Sequence, residues 1–132
     1  MNLGAVNRFI GTDWSYGDND CWAVFCKASH AVFGRYVHAV DIPAVSDPEA
    51  NRALFTDEFQ RDRWQQVDEP GHGCAVLCRD SKGNAVHVGL YITDGNVLHC
   101  PGSVEHGGHT RYDPLATLRR VYGSVEFYQC KR

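Results

Sequence analysis

The stretch from Ala85 to Cys100 constrains this chain most. Val86, Val88, Leu90 and Ile92 alternate with His87, Gly89 and Tyr91, and strict period-two alternation marks a β-strand with two different faces. Asp94-Gly95 follows, a pair that accepts the left-handed backbone of a tight hairpin. Asn96 to Cys100 then reads as the return strand. Gly73 to Arg79 reads as a shorter strand before the hairpin, and Tyr122 to Gln129 as a last one. Between them, Pro101 to Thr110 is a glycine- and histidine-rich loop, and Asp113-Pro114 opens a short helix to Arg120.

The first half of the chain has a different period. Cys21, Phe25, Ala28 and Val32 form one stripe at helical spacing across Cys21 to Phe33. Asp18-Asn19-Asp20 precedes it with short polar side chains that cap free N–H groups. Gly34 stops it, because glycine takes the left-handed cap position without strain. A second helix is expected from Ser46 or Asp47, with Pro48 in its first turn, through Ala53, Leu54 and Phe55 to about Arg61. Asp41 to Arg63 is the least readable stretch: a lid, a docking helix or simple packing. Helices first and a meander of strands second imply an α+β domain, with N-terminal helices packed on an antiparallel sheet. No repeat, low-complexity tract or linker divides residues 1–132.

Composition removes several function classes. A net charge of −3 offers no basic face for nucleic acid. No run approaches the ~20 apolar residues of a membrane-spanning helix. Met1 to Gly11 lacks the apolar region of a signal peptide, so synthesis in a reducing cytoplasm is expected. There the six cysteines read as free thiols, catalytic groups or metal ligands, with disulfides as the alternative.

Two features carry chemistry. Cys21 stands in the first turn of the expected helix, where the helix dipole and unpaired N–H groups favour a thiolate nucleophile; the plainer reading is a small buried hydrophobe. His87 lies on the alternating strand and His99 on its return. A two-residue turn would pair Leu90 with His99 and put the histidines on opposite faces. A three-residue loop, Asp94-Gly95-Asn96, would pair Tyr91 with His99 and put them on one face. In that case His87 takes the thiol proton and returns it to the leaving amine, and His99 orients His87 through its far ring nitrogen. The oxyanion would sit near the N–H of Cys21.

These residues resemble the NlpC-type cell-wall cysteine peptidases, a branch of the papain-like superfamily. The resemblance runs through Phe9-Ile10-Gly11-Thr12, Asn19-Asp20-Cys21-Trp22, His87-Val88-Gly89-Leu90-Tyr91-Ile92 and Gly95-Asn96-Val97-Leu98-His99. Its pattern is an Asp-Cys at a helix start, a His-Val-Gly strand, and a second polar residue on the next strand. Trp22, where many members have serine, is similar to the branch found in tails of long-tailed bacteriophages. The resemblance implies a papain-like fold and endopeptidase activity on peptidoglycan stem peptides next to a D-glutamyl residue, with no cofactor and no metal. It implies catalytic roles for Cys21, His87 and His99. It also implies a substrate-amine contact for Asp20, which the bare sequence reads as a helix cap. Many members carry a tyrosine about a dozen residues before the cysteine. Here Trp14 aligns with it, keeping the aromatic face and losing the hydroxyl, and Tyr16 is the other candidate for this substrate-binding place. A wall-cutting chain without a signal peptide is expected to be delivered by a phage tail tip, or a related injection machine, with release on lysis as the alternative; it would contact other tail proteins and act in the host wall or periplasm.

Three rivals stand beside this reading. Cys74, Cys78, His72, His106 and His109 suggest zinc, but a four-residue cysteine spacing in a strand is not that of a zinc knuckle. A tail component could keep the fold and serve only as structure. A related thiol hydrolase acting on lipids or amides would carry histidine before cysteine, whereas the order here is Cys21, His87, His99.

Overall fold

The computed structural model of the chain describes residues 2–37, 59 and 63–131. The expected helix over residues 46–61 lies outside them, Phe59 apart. The described residues form a mixed α+β architecture. A 3-10 helix, Leu3–Arg8, and helix α1, Cys21–Phe33, come first. Strands β1 Trp64–Val67, β2 Ala75–Arg79, β3 Ala85–Tyr91 and β4 Asn96–His99 follow. A small hairpin, β5 Gly102–Ser103 and β6 Gly107–Gly108, leads to β7 Arg111–Pro114. Helix α2, Leu115–Val121, and strand β8, Ser124–Cys130, close the chain.

Six strands make one sheet in the order β1-β8-β2-β3-β4-β7, and every neighbouring pair is antiparallel. Strands β2, β3 and β4 form the expected meander, and β7 extends it past β4. Strand β8 instead inserts between β1 and β2. Strand β1, the short β5–β6 hairpin and β7 have no counterpart in the sequence-based expectation. Arg111–Pro114, expected to open a helix at Asp113-Pro114, is strand, and the helix begins one residue after Pro114. Hydrogen bonding of this segment to β4 overrides the local turn signal. The last strand begins at Ser124 rather than Tyr122.

Helix α1 has the expected ends. The Asp20 side chain accepts the Ala23 N–H (2.9 Å), satisfying one of the four donors a helix start leaves open. Gly34 takes a left-handed φ of 67°, and its N–H returns to His30 O. The stripe Cys21, Phe25, Ala28 and Val32 is buried against one sheet face, where Trp22 and Phe25 join Leu77, Val88 and Leu90. An aromatic group holds the far end: Phe59 stacks on Tyr128 at 4.9 Å and meets Trp64 edge-on at 5.0 Å. Such pairs contribute about 0.5–1.5 kcal/mol each beyond their buried area.

The opposite face carries Val76, Cys78, Val97 and Phe127 under Leu118 of α2. Both faces are therefore covered, which explains why β2 is buried at four successive positions instead of alternating. No helix among the described residues is long and apolar enough to cross a membrane.

Candidate active site

The hairpin register decides which histidine meets which. Leu90 pairs with Leu98 and Tyr91 with Val97, while Ile92 N–H donates to Asn96 O (3.1 Å) and Asn96 N–H to Thr93 O (3.0 Å). The loop thus has three residues, Thr93 to Gly95, with positive φ at Asp94 and Gly95. Its odd length puts His87 and His99 on one face. The expected loop, Asp94-Gly95-Asn96, is off by one position, and the pairing of Tyr91 with His99 is corrected by two. Continuing the register sets His99 across from Gly89, two residues nearer His87. A Cβ on Gly89 would lie 2.6 Å from Val97 Cγ1 and 3.1 Å from His99 Cβ, so the missing side chain leaves the space in which the imidazoles meet.

They meet closely. His87 Nε2 and His99 Nδ1 are 2.8 Å apart, and both residues are buried. His99 Nε2 lies 2.8 Å from Asp113 Oδ2. Arg111 grips the same carboxylate, Nε to Oδ2 at 2.8 Å and Nη2 to Oδ1 at 3.2 Å. The Tyr122 ring stacks on His87, centroids 5.2 Å apart and planes 11° from parallel. Sequence reasoning missed Asp113, Arg111 and Tyr122. The available signal was the period-two spacing of Arg111 and Asp113, which reads as one strand face once the segment is known to be strand.

Burial holds the His87 imidazole well below its usual range, helped by His99. Burial also lowers His99, against the pull of Asp113. Asp113 is the reverse: burial raises it, but Arg111 and His99 outweigh that and keep its carboxyl low. At neutral pH the chain is two neutral imidazoles ending on a carboxylate.

Cys21 reaches the same stretch of β3 by a different route. Gly73 N–H donates to Tyr91 O, and Tyr91 N–H to Cys74 O, so Tyr91, Gly89 and His87 turn their backbone groups toward β2. By alternation Ile92, Leu90 and Val88 turn theirs toward β4. Strand β4 ends at His99, and the Val88 N–H is left facing the notch beyond it. Cys21 lies near that notch, where the backbone N–H groups of Val88 and of Trp22 in its own helix start favour its thiolate against the effect of burial. Cys100, the first residue past β4, ties the notch to the approach to α1 through Sγ–H donating to Asn19 O (3.2 Å). Among the described residues no hydrogen bond joins Cys21 to His87. Burial pushes the Cys21 thiol up to about 12, the Asp20 carboxylate adds to the rise, and the Val88 N–H opposes it. The resting site therefore holds a thiol rather than a thiolate.

Both oxygens of the buried Asp20 are occupied, Oδ1 by Ala23 N–H and Oδ2 by Gly17 N–H (2.7 Å). Trp14 is half-buried, with its backbone N–H on Gly108 O (2.9 Å) and its ring against Gly102, where an added Cβ would fall 2.5 Å from Cγ. Tyr16 is exposed. A cavity of about 140 Å³ lies on the imidazole side, bounded by His99, Arg111, Asp113, Leu118 and Tyr122 among others.

None of the six cysteines is in a disulfide. Among the described residues no group of His, Cys, Asp and Glu is arranged to hold a metal ion. Cys74 Sγ accepts Gly71 N–H (3.2 Å), Cys78 packs with Val76 under α2, and His106 and His109 are exposed on the β5–β6 hairpin. No family model matches the chain, and no curated protein matches it.

Proposed function

We propose that the chain is a cysteine endopeptidase of papain-like, NlpC-type fold that cleaves peptidoglycan stem peptides at a D-glutamyl bond, as a phage tail-tip component in cell-wall penetration. The observation that carries the reading is the buried His87–His99 pair, next in sequence to Val88, whose backbone N–H acts on the helix-start thiol of Cys21. The ordered resemblance to the wall peptidases supplies the substrate class, and Trp22 the link to phage tails.

His87, neutral at pH 7, accepts the Cys21 proton at Nδ1 as the sulfur attacks the scissile carbonyl. The oxyanion is met by N–H groups at the α1 start and by Val88 N–H. The imidazolium then gives its proton to the leaving amine, the C–N bond breaks, and a thioester to Cys21 remains. Water, deprotonated by the same nitrogen, hydrolyses the thioester and restores the thiol. A thiol held near 12 makes this a general-base mechanism rather than a resting ion pair, with the proton leaving only as the carbonyl arrives.

The burial of Cys21 favours a second reading, a tail component that keeps the fold as structure. Purified stem peptides incubated with wild type and with Cys21→Ala, with products read by mass, separate the two. Cleavage at a D-glutamyl bond by wild type alone is expected. Equal, background-level products from both proteins would remove the peptidase reading for the isolated chain and leave the structural one.

A further inference from the structure

We propose that Asp113, held by Arg111, sets the tautomer of both imidazoles and so leaves Nδ1 of His87 as the basic nitrogen; it is a positioning residue for the reaction proposed above. The polarity is fixed at the outer end of the chain. A carboxylate has no proton to give, and a guanidinium has only donors. Arg111 occupies both oxygens of Asp113, so the group 2.8 Å away, His99 Nε2, must carry a hydrogen. A neutral imidazole has only one N–H, which leaves His99 Nδ1 with a lone pair. That lone pair faces His87 Nε2 at 2.8 Å, so His87 Nε2 carries the hydrogen and His87 Nδ1 does not. The opposite polarity would set a bare His99 nitrogen against a carboxylate oxygen at hydrogen-bond distance, an unsatisfied and repulsive contact in a buried place.

The sheet makes the arrangement rigid. Arg111 lies directly across from His99, and Asp113 across from Val97, so all three side chains share the face on which His87 stands. His87 Nδ1 makes no hydrogen bond among the described residues. It is the free end of a chain whose direction is fixed at the other end. The low range of both imidazoles agrees with neutral rings. When His87 accepts a proton from Cys21 it gains a second N–H, and its Nε2–H continues to donate to His99. No proton has to travel to Asp113.

The test is Asp113→Asn in the full chain. Arg111 offers only donors, so the amide oxygen turns to it and the amide NH2 faces His99 Nε2. That reverses both hydrogen bonds and puts the hydrogen of His87 on Nδ1. Two-bond 1H–15N correlation spectra at pH 7.5, assigned with His87→Gln and His99→Gln, read the tautomers directly. Wild type should show Nε2–H on both residues, Asp113→Asn should show Nδ1–H on His87, and Asp113→Glu should keep the wild-type pattern. Nδ1–H on His87 in wild type, or an unchanged His87 in Asp113→Asn, would overturn the proposal. The spectra need no substrate, so this outcome is separate from whether stem peptides are cut. With a cleavable peptide, Asp113→Asn should lose kcat by roughly a thousandfold or more, as wrong-tautomer carboxylate replacements do, with KM little changed. A kcat within about twofold of wild type would also count against it.

Discussion

His87 is an ionisable side chain placed where its charged form is disfavoured. Its folded-state range lies well below the ordinary 6.5 because of burial and the neighbouring His99, and His99 is shifted the same way. On acidification the unfolded chain therefore takes up these protons first. The stability the two rings confer is complete above about pH 6.5 and is lost as pH falls below it, each ring contributing a slope of up to about 1.4 kcal/mol per pH unit. Urea titrations between pH 7.5 and 5 should show this decline, and His87→Gln should flatten part of it. A wild-type profile with no slope over that range would contradict the burial of neutral imidazoles. Asp113 acts later, since its carboxyl is held below the ordinary carboxylate range and must be protonated at lower pH still. At this scale the sequence was partly legible. Cys21, His87 and His99 stand out by residue type and by position on a helix start and two strands. Asp113 does not, because Asp-Pro reads locally as a helix opening and its partner His99 is fourteen positions away. Tyr122 was equally hidden, since its stacking on His87 depends on where α2 ends.

At the scale of elements, the site depends on one tight contact between β3 and β4. Gly89 lies between His87 and Tyr91 on the face the imidazoles share. A Gly89→Ala methyl would fall inside van der Waals contact of Val97 and close to the His99 Cβ. Overpacking of this kind costs about 1–3 kcal/mol. Here it would also push the strands apart at the point that sets the separation of the two imidazoles. Thermal unfolding of Gly89→Ala should show a lowered midpoint, with activity falling further than the remaining folded fraction explains. A variant with wild-type midpoint and activity would show that the contact carries no such role. Helix α1 was readable from its caps because Asp20 and Gly34 act within four residues of where they stand. The hairpin was readable up to its loop. The choice of Thr93–Gly95 over Asp94–Asn96 rests on Asp94 taking a positive φ of 55°, a conformation aspartate tolerates but no pattern announces.

Across the whole molecule, the sheet separates the two halves of the chemistry. Helix α1 carries Cys21 on one face, while Tyr122 after α2 and the Arg111 and Asp113 side chains of β7 meet the imidazoles on the other. The placement of β8 between β1 and β2 comes from pairings more than forty residues apart, beyond the reach of periodicity. The α+β class was therefore legible, while the sheet order was not. The most direct measurement is the labelling rate of each cysteine by a small neutral alkylating agent at pH 7.5, resolved by mass, in wild type and His87→Gln. Cys78 is the internal control, since it too is buried and its thiol is pushed up by burial, yet it ends in no base of the proposed mechanism. If His87 serves Cys21, Cys21 should label ahead of Cys78, and His87→Gln should slow Cys21 alone by roughly a hundredfold. Equal labelling of Cys21 and Cys78, or a Cys21 rate untouched by His87→Gln, would contradict the account.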